Sequence, residues 1–156
     1  MLKLVFKLTT ACLLVSGIAI AEATVDKSQS SNGKLNLTIT NVSSDKGNLV
    51  IQIFDKKKDW LEDDRIKKTM QLPLSDKVKD AKIDTEISLP VGEYAIFLFH
   101  DLDKNKELKT NWIGIPREPV GTSNNAKGRM GPPKYKDAAF KLEGQELNMT
   151  IKLADL

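Results

Sequence analysis

Several residue types that usually carry chemistry are scarce in this chain. Its 156 residues include one cysteine and one histidine, few aromatics, and 24 basic side chains set against 21 acidic ones. A lone cysteine excludes an intrachain disulfide framework, and one histidine with one cysteine leaves little for a zinc or copper centre. Charge this evenly balanced, without a clustered basic face, gives weak grounds for nucleic-acid binding. Beyond the N-terminus no apolar run could span a bilayer. There is no internal repeat and no long helical pattern. The composition is nevertheless too apolar and too mixed in sign for a disordered tail, and the length suits a single domain.

Residues 1–21 read as a secretory signal. Lys3 and Lys7 supply the positive start, Leu8 to Ile20 a mostly apolar run, and Ala19-Ile20-Ala21 the small–x–small form that signal peptidase needs. The apolar run is short for a membrane anchor, and Cys12 lies inside it rather than at its end, which argues against a lipoprotein tether. Cleavage after Ala21 removes two lysines and no acid, leaving 22 basic against 21 acidic groups and no cysteine. An exported protein, periplasmic or secreted, would then fold without a covalent staple. The polar, Ser-rich stretch 22–33 is expected to be a flexible leader.

From residue 34 the apolar period is two. Leu35, Leu37 and Ile39 alternate with polar neighbours, as do Leu49, Ile51 and Ile53 after an Asp45-Lys46-Gly47-Asn48 turn, so these two strands are expected to pair as a hairpin. Residues 55–68 break the rhythm with eleven charges around Trp60, Leu61 and Ile66, a solvated excursion or short helix with Trp60 as a lid. An edge strand follows at Met70–Leu74, where Pro73 is tolerated. Ile83 to Leu89 alternates again, and Tyr94 to Phe99 is apolar on both faces, as a covered central strand requires. Ala138–Leu142 and Leu147–Leu153 close the chain. The pattern predicts an all-β fold: a single six- to seven-stranded antiparallel β-sandwich with Greek-key connections over 34–156.

The long connection 101–137 has little strand pattern. Its apolar residues (Trp112, Ile113, Ile115, Met130 and Tyr135) and its prolines predict an ordered cap packed on the sandwich, and such long loops are usually functional or disordered. Its start, Asp101-Leu102-Asp103-Lys104-Asn105-Lys106-Glu107, places oxygen ligands at alternating positions, as a hard cation such as calcium requires. The match is partial. Lys106 stands where glycine usually permits the sharp turn, and Trp112 where a bidentate glutamate would stand, so further ligands would have to come from Glu118, Asn111 or a backbone carbonyl. The alternative is that Asp101, Asp103 and Asn105 form Asx turns at a strand exit.

His100 is either a general base or metal ligand at the mouth of this loop, or a structural group at a strand end. His100 with Asp101 or Glu118 is the catalytic set if the protein is an enzyme, and Ser123 lies in no nucleophile elbow. Trp112, Arg117, Glu118, Ser123, Asn124 and Asn125 are the candidate ligand-contacting residues. Trp112 and Tyr135 could offer stacking surface, although core packing is the commoner use of both types.

His100-Asp101, Asn105, Gly114-Ile115-Pro116, Glu118, Gly121, Ser123-Asn124-Asn125 and Gly131-Pro132-Pro133 together resemble the pattern of an uncharacterised bacterial family, a domain of unknown function (family 2141). Phe54-Asp55 and Leu89-Pro90-Val91-Gly92-Glu93-Tyr94 extend the resemblance over most of 34–153, and the latter stretch is similar to one in transthyretin-like and carboxypeptidase-regulatory-like sandwiches. The resemblance implies an exported single domain and no particular reaction. The chain departs from that pattern in carrying Lys106 for glycine and Lys109 for aspartate, which sets two cations beside the acidic loop. The expectation is therefore an exported, monomeric, non-enzymatic binding or accessory module for an envelope protein, peptide or glycan, with calcium as a possible stabiliser of 101–107. The alternative is a small hydrolase or isomerase.

Overall fold

The computed structural model describes residues 31–144 and 146–155. The expected signal 1–21 and most of the leader 22–33 lie outside the described residues, and the last leader positions, Asn32 and Gly33, already belong to a strand. Eight strands are present: β1 (Asn32–Thr40), β2 (Asn48–Phe54), β3 (Lys68–Pro73), β4 (Lys82–Pro90), β5 (Gly92–Asp101), β6 (Val120–Thr122), β7 (Phe140–Leu142) and β8 (Glu146–Lys152). One short helix, α1 (Tyr135–Ala138), precedes β7. The one strand without a counterpart among the expected segments is β6, a three-residue piece too short to show a period in the sequence.

The strands form two sheets, ordered β4-β1-β8 and β3-β2-β5-β6, with β7 also paired to β5. Every pair but one is antiparallel; β1 and β8 run parallel, from Lys34 beside Glu146 to Thr40 beside Lys152. The expected β1–β2 hairpin does not form. Both edges of β1 are taken, by β4 and β8, so residues 41–47 carry the chain across to the other sheet, where β2 lies between β3 and β5. Asn41 and Gly47, both at positive φ, turn the chain at the two ends of that crossing.

Alternation fills the space between the sheets. Leu35, Leu37 and Ile39 of β1, Leu49, Ile51 and Ile53 of β2, Ile83 and Ile87 of β4, and Ile96 and Leu98 of β5 form one buried cluster. The opposite face of β2 and β5 is covered as well. Phe54, Phe97 and Phe99 lie under Trp60, Leu61, Ile66 and Leu108, so β5 is buried on both faces as its sequence predicts. Residues 55–67 supply that cover through two 3-10 turns, Lys57–Asp59 and Asp63–Arg65. Trp60 is the keystone of the cover: its ring meets Phe54 and Tyr135 edge-on at 5.2 and 6.0 Å, and its indole N–H donates to the Pro133 carbonyl at 2.8 Å. At the same end of β5 but on its inter-sheet face, the Tyr94 hydroxyl donates to the Pro90 carbonyl at 2.9 Å, which fixes the β4–β5 turn in the Leu-Pro-Val-Gly-Glu-Tyr stretch.

Candidate functional site

The cap loop divides into two halves with different anchors. The second half begins at β6 and is clamped by Ser123-Asn124-Asn125. One edge of β5 is paired to β7 at Gly92–Tyr94 and to β6 at Phe97–Phe99, which leaves Ile96 at the joint. The fully buried Ser123 fills that joint: its Oγ accepts from the Ile96 N–H at 2.9 Å and donates to the Ala138 carbonyl. Asn124 and Asn125 both hold left-handed backbone, with φ of 58° and 51°. Asn124 Nδ2 donates to the Ala139 carbonyl at 2.8 Å. Asn125 mimics a neighbouring strand along β8, with Nδ2 donating to the Thr150 carbonyl and Oδ1 accepting from the Lys152 N–H. These three side chains are wholly occupied in joining β5, β8 and the helix α1.

The first half is held by two buried carboxylates. Asp101 is fully buried, and its Oδ1 and Oδ2 accept from the Asn105 and Lys106 N–H groups at 3.2 and 2.9 Å. Glu118, also buried, accepts from the Leu102 and Lys109 N–H groups at 3.1 Å each. The two side chains therefore latch both ends of 101–118 to one another through backbone amides. Gly47 lies directly beneath, where any side chain would collide with the Asp101 carbonyl.

The expected oxygen cluster does converge in part. Asp101, Asp103 and Glu118 each bring a carboxylate oxygen within 4.8 Å of the others, so Glu118 is the residue from outside 101–107 that joins the cluster. Asn105 and Glu107 do not join it. Asn105 Oδ1 accepts from the Glu107 N–H at 2.8 Å and its Nδ2 donates to Asp103, while the Glu107 side chain is exposed. This is the Asx-turn arrangement. A cation is already at hand: the Lys109 ammonium pairs with Asp103. That contact holds the Asp103 carboxyl below the usual carboxylate range and raises Lys109 above the usual lysine range, with smaller contributions to Lys109 from the nearby Glu118 and Asp101 charges. The donor set thus fits one positive charge, and this chain supplies it covalently. Lys106 has a φ of 69°, the left-handed turn for which glycine is the usual residue.

His100 occupies the strand end with no exposed surface. Alternation along β5 directs it to the face opposite Asp101, and its Nε2 hydrogen-bonds the Lys46 carbonyl at 2.7 Å, while Nδ1 has no partner. No solvent-side group can reach this imidazole without local opening.

Between the latched ends, Lys109 to Arg117 forms a small hairpin, referred to below as the finger. The Arg117 N–H donates to the Lys109 carbonyl at 2.7 Å, Thr110 bridges Pro116, and the Asn111 N–H donates to the Ile115 carbonyl at 2.8 Å. Asn111 Oδ1 accepts from the Ile113 and Ile115 N–H groups, and Gly114 at φ 82° closes the turn. The tip residues are exposed: Trp112 by 91%, Ile113 by 56% and Ile115 by 39%. Here the structure corrects the expectation of a cap packed throughout on the sandwich. Tyr135 is buried against Trp60, but Trp112 packs on nothing that removes it from water, and Met130 is likewise fully exposed. The sequence signal for this finger is present in Asn111-Trp112-Ile113-Gly114, an Asx residue before a glycine at the spacing of a tight turn.

A family described as "Uncharacterized protein conserved in bacteria (DUF2141)" matches residues 37–150, which span β1 to β8 and the whole cap loop. The chain belongs to that family. No curated protein and no solved structure matches it. Membership in DUF2141 therefore brings no reaction with it, and the geometry of the loop has to carry the functional argument.

Proposed function

We propose that this DUF2141 protein is an exported, non-enzymatic binding module whose recognition element is the Lys109–Arg117 finger. One observation carries the reading: a tryptophan and two isoleucines stand exposed on a hairpin that backbone bonds and Asn111 hold in a single shape. A clustered, exposed apolar group on an ordered element is uncommon on a soluble surface and marks a contact site. A preorganised element also gives up less conformational entropy when a partner arrives.

The other candidate groups support the same reading by being committed elsewhere. Asp101 and Glu118 hold backbone amides, Ser123 holds the β5 joint, and His100 is buried on the far face, so the hydrolase or isomerase set lacks a substrate-facing member. Export is supported by Lys3, Lys7, the apolar run and Ala19-Ile20-Ala21. Calcium would have to compete with the tethered Lys109 ammonium, so the loop is taken to be stabilised by its own lysine.

A photo-crosslinking residue placed at position 112, and in a control at position 148 on the polar outer face of β8, tests the reading in the cells that make the protein. The expected result is adducts at 112 in large excess over 148. Equal yields at the two positions, or none at either, would remove the finger from the function.

A further inference from the structure

The finger has a chemical layout of its own, and on the reading just given it identifies the partner. We infer that the finger docks on the surface of a bilayer containing anionic phospholipid, with Trp112, Ile113 and Ile115 entering the interface and Lys104, Lys106 and Arg117 meeting headgroup phosphates.

The apolar residues occupy the tip of the finger, Lys109 and Arg117 stand at its base, and Lys104 and Lys106 lie in the turn that leads into it. Three residues separate the tip from the Lys109–Arg117 pair, which at the rise of an extended chain is roughly 10 Å. Interfacial apolar groups bury to a depth of ~5–10 Å at the headgroup and acyl boundary, so the base cations come level with the phosphates. Tryptophan is the side chain that favours this layer, because its ring is apolar while its indole N–H still needs a polar partner. Trp112 is suited to it in a way that Trp60, whose N–H is satisfied by Pro133, is not.

Segment 101–118 carries four cations and four carboxylates, and it is the burial of two of those carboxylates that leaves its outward-facing side chains net positive. Of the acids in 101–118, Asp101 and Glu118 are buried on backbone amides and Asp103 is paired with Lys109, so Glu107 is the one carboxylate facing outward. Among the described residues, Lys104, Lys106 and Arg117 are exposed and form no ion pair. Basic groups beside an interfacial aromatic draw a protein to anionic headgroups. A protein partner fits the geometry less well. A stable interface needs roughly 800 Å² from each side, whereas this tip stands clear of the sandwich: a Cβ added at Gly114 would meet nothing within 4 Å beyond its chain neighbours.

Co-sedimentation with vesicles tests the inference. The protein as the cell processes it, Trp112→Ser, and Lys104→Ser/Lys106→Ser/Arg117→Ser would be mixed with phosphatidylglycerol–phosphatidylethanolamine vesicles and with phosphatidylcholine vesicles. All three proteins share one N-terminus, and every changed residue is exposed, so circular dichroism should report an unaltered fold. The expected result is partitioning onto the anionic vesicles at least tenfold above the neutral ones. Trp112→Ser should lose at least tenfold, and the triple variant should fall to the neutral-vesicle level. A parent that binds both vesicles equally, or a Trp112→Ser protein that binds like the parent, would overturn it. Absence of vesicle binding together with position-112 crosslinks to one discrete protein would overturn the lipid partner and leave the binding-module reading standing. Absence of both would remove both.

Discussion

The two halves of the cap loop use similar side chains to opposite ends. In 120–137, Ser123, Asn124 and Asn125 bond to backbone that already belongs to the sandwich, and Tyr135 and Ala138 are buried against Ala95. That half adds to the fold and leaves little over. In 101–119, two buried carboxylates bond to the loop's own amides and hold a finger away from the sandwich. Apolar burial could have pulled Trp112 down onto a sheet; instead the latch and the Asn111 turn keep it out. Stability serves packing in one half and presentation in the other.

Removing an anchor from each half should separate the two roles, and this is the largest expected effect. Asp101→Ala leaves the Asn105 and Lys106 N–H groups without their charged acceptor, a loss of roughly 2–4 kcal/mol. Ser123→Ala deprives the buried Ile96 N–H of its partner and should cost about 1–3 kcal/mol. Urea unfolding would rank the two. Hydrogen exchange would then locate them, with Asp101→Ala raising exchange across 102–118 and Ser123→Ala raising it along β5. An Asp101→Ala protein with the parental urea midpoint and unchanged exchange at Asn105 and Lys106 would mean that the carboxylate is not what holds the finger in place.

The legibility of these halves in sequence differs for physical reasons. The strands with a period of two were readable because alternation records burial directly, and the doubly apolar run Tyr94–Phe99 located the central strand. The β1–β2 pairing was not readable, since a turn of suitable composition between two alternating segments looks the same whether the chain folds back or crosses to another sheet. The parallel β1–β8 pair is a contact of high sequence separation with no local signature. In the loop, Asp101 and Asp103 do bring carboxylate oxygens together, with Glu118 from outside, while Asn105, the third alternating position, turns to the Glu107 N–H instead. Which cation they face depended on the reach of Lys109, and a sequence records the lysine without its direction. Trp112 was left open between ligand contact and core packing because tryptophan is usually packed, and only the Asn111–Gly114 turn distinguishes a displayed ring from a buried one.

Lys106 sharpens the comparison by a smaller amount. It keeps a left-handed backbone in the latched half, a conformation that disfavours side chains with a Cβ by ~1–2 kcal/mol. Glycine would relieve this but loses more freedom on folding, so Lys106→Gly should stabilise the protein by roughly 0.5–1 kcal/mol. The Lys106 N–H bond to Asp101 survives the change because it is made by the backbone. A rise in the thermal midpoint checks this, and a fall would show that the lysine side chain contributes more than its backbone strain costs.

The smallest effect on stability belongs to Lys109, and its value lies in its pH dependence. The ion pair lowers Asp103 from its ordinary 3.8 and raises Lys109 from its ordinary 10.5. The depressed carboxyl contributes stability above its unfolded value and loses it as pH falls through the folded one. The raised ammonium contributes below its unfolded value and loses it as pH rises through the folded one. The parent should therefore exceed Lys109→Met only between those limits, by an amount kept small by solvent exposure and reduced further by salt. The same substitution removes the tethered cation from three carboxylates that lie within 4.8 Å of one another. Calcium should then raise the midpoint of Lys109→Met while leaving the parent unmoved, since an ion that binds only the folded state stabilises it in proportion to its occupancy. A parent that already responds to calcium would make the loop a metal site despite its lysine. A variant that does not respond would show that the carboxylates are held too firmly by their amides to turn toward an ion.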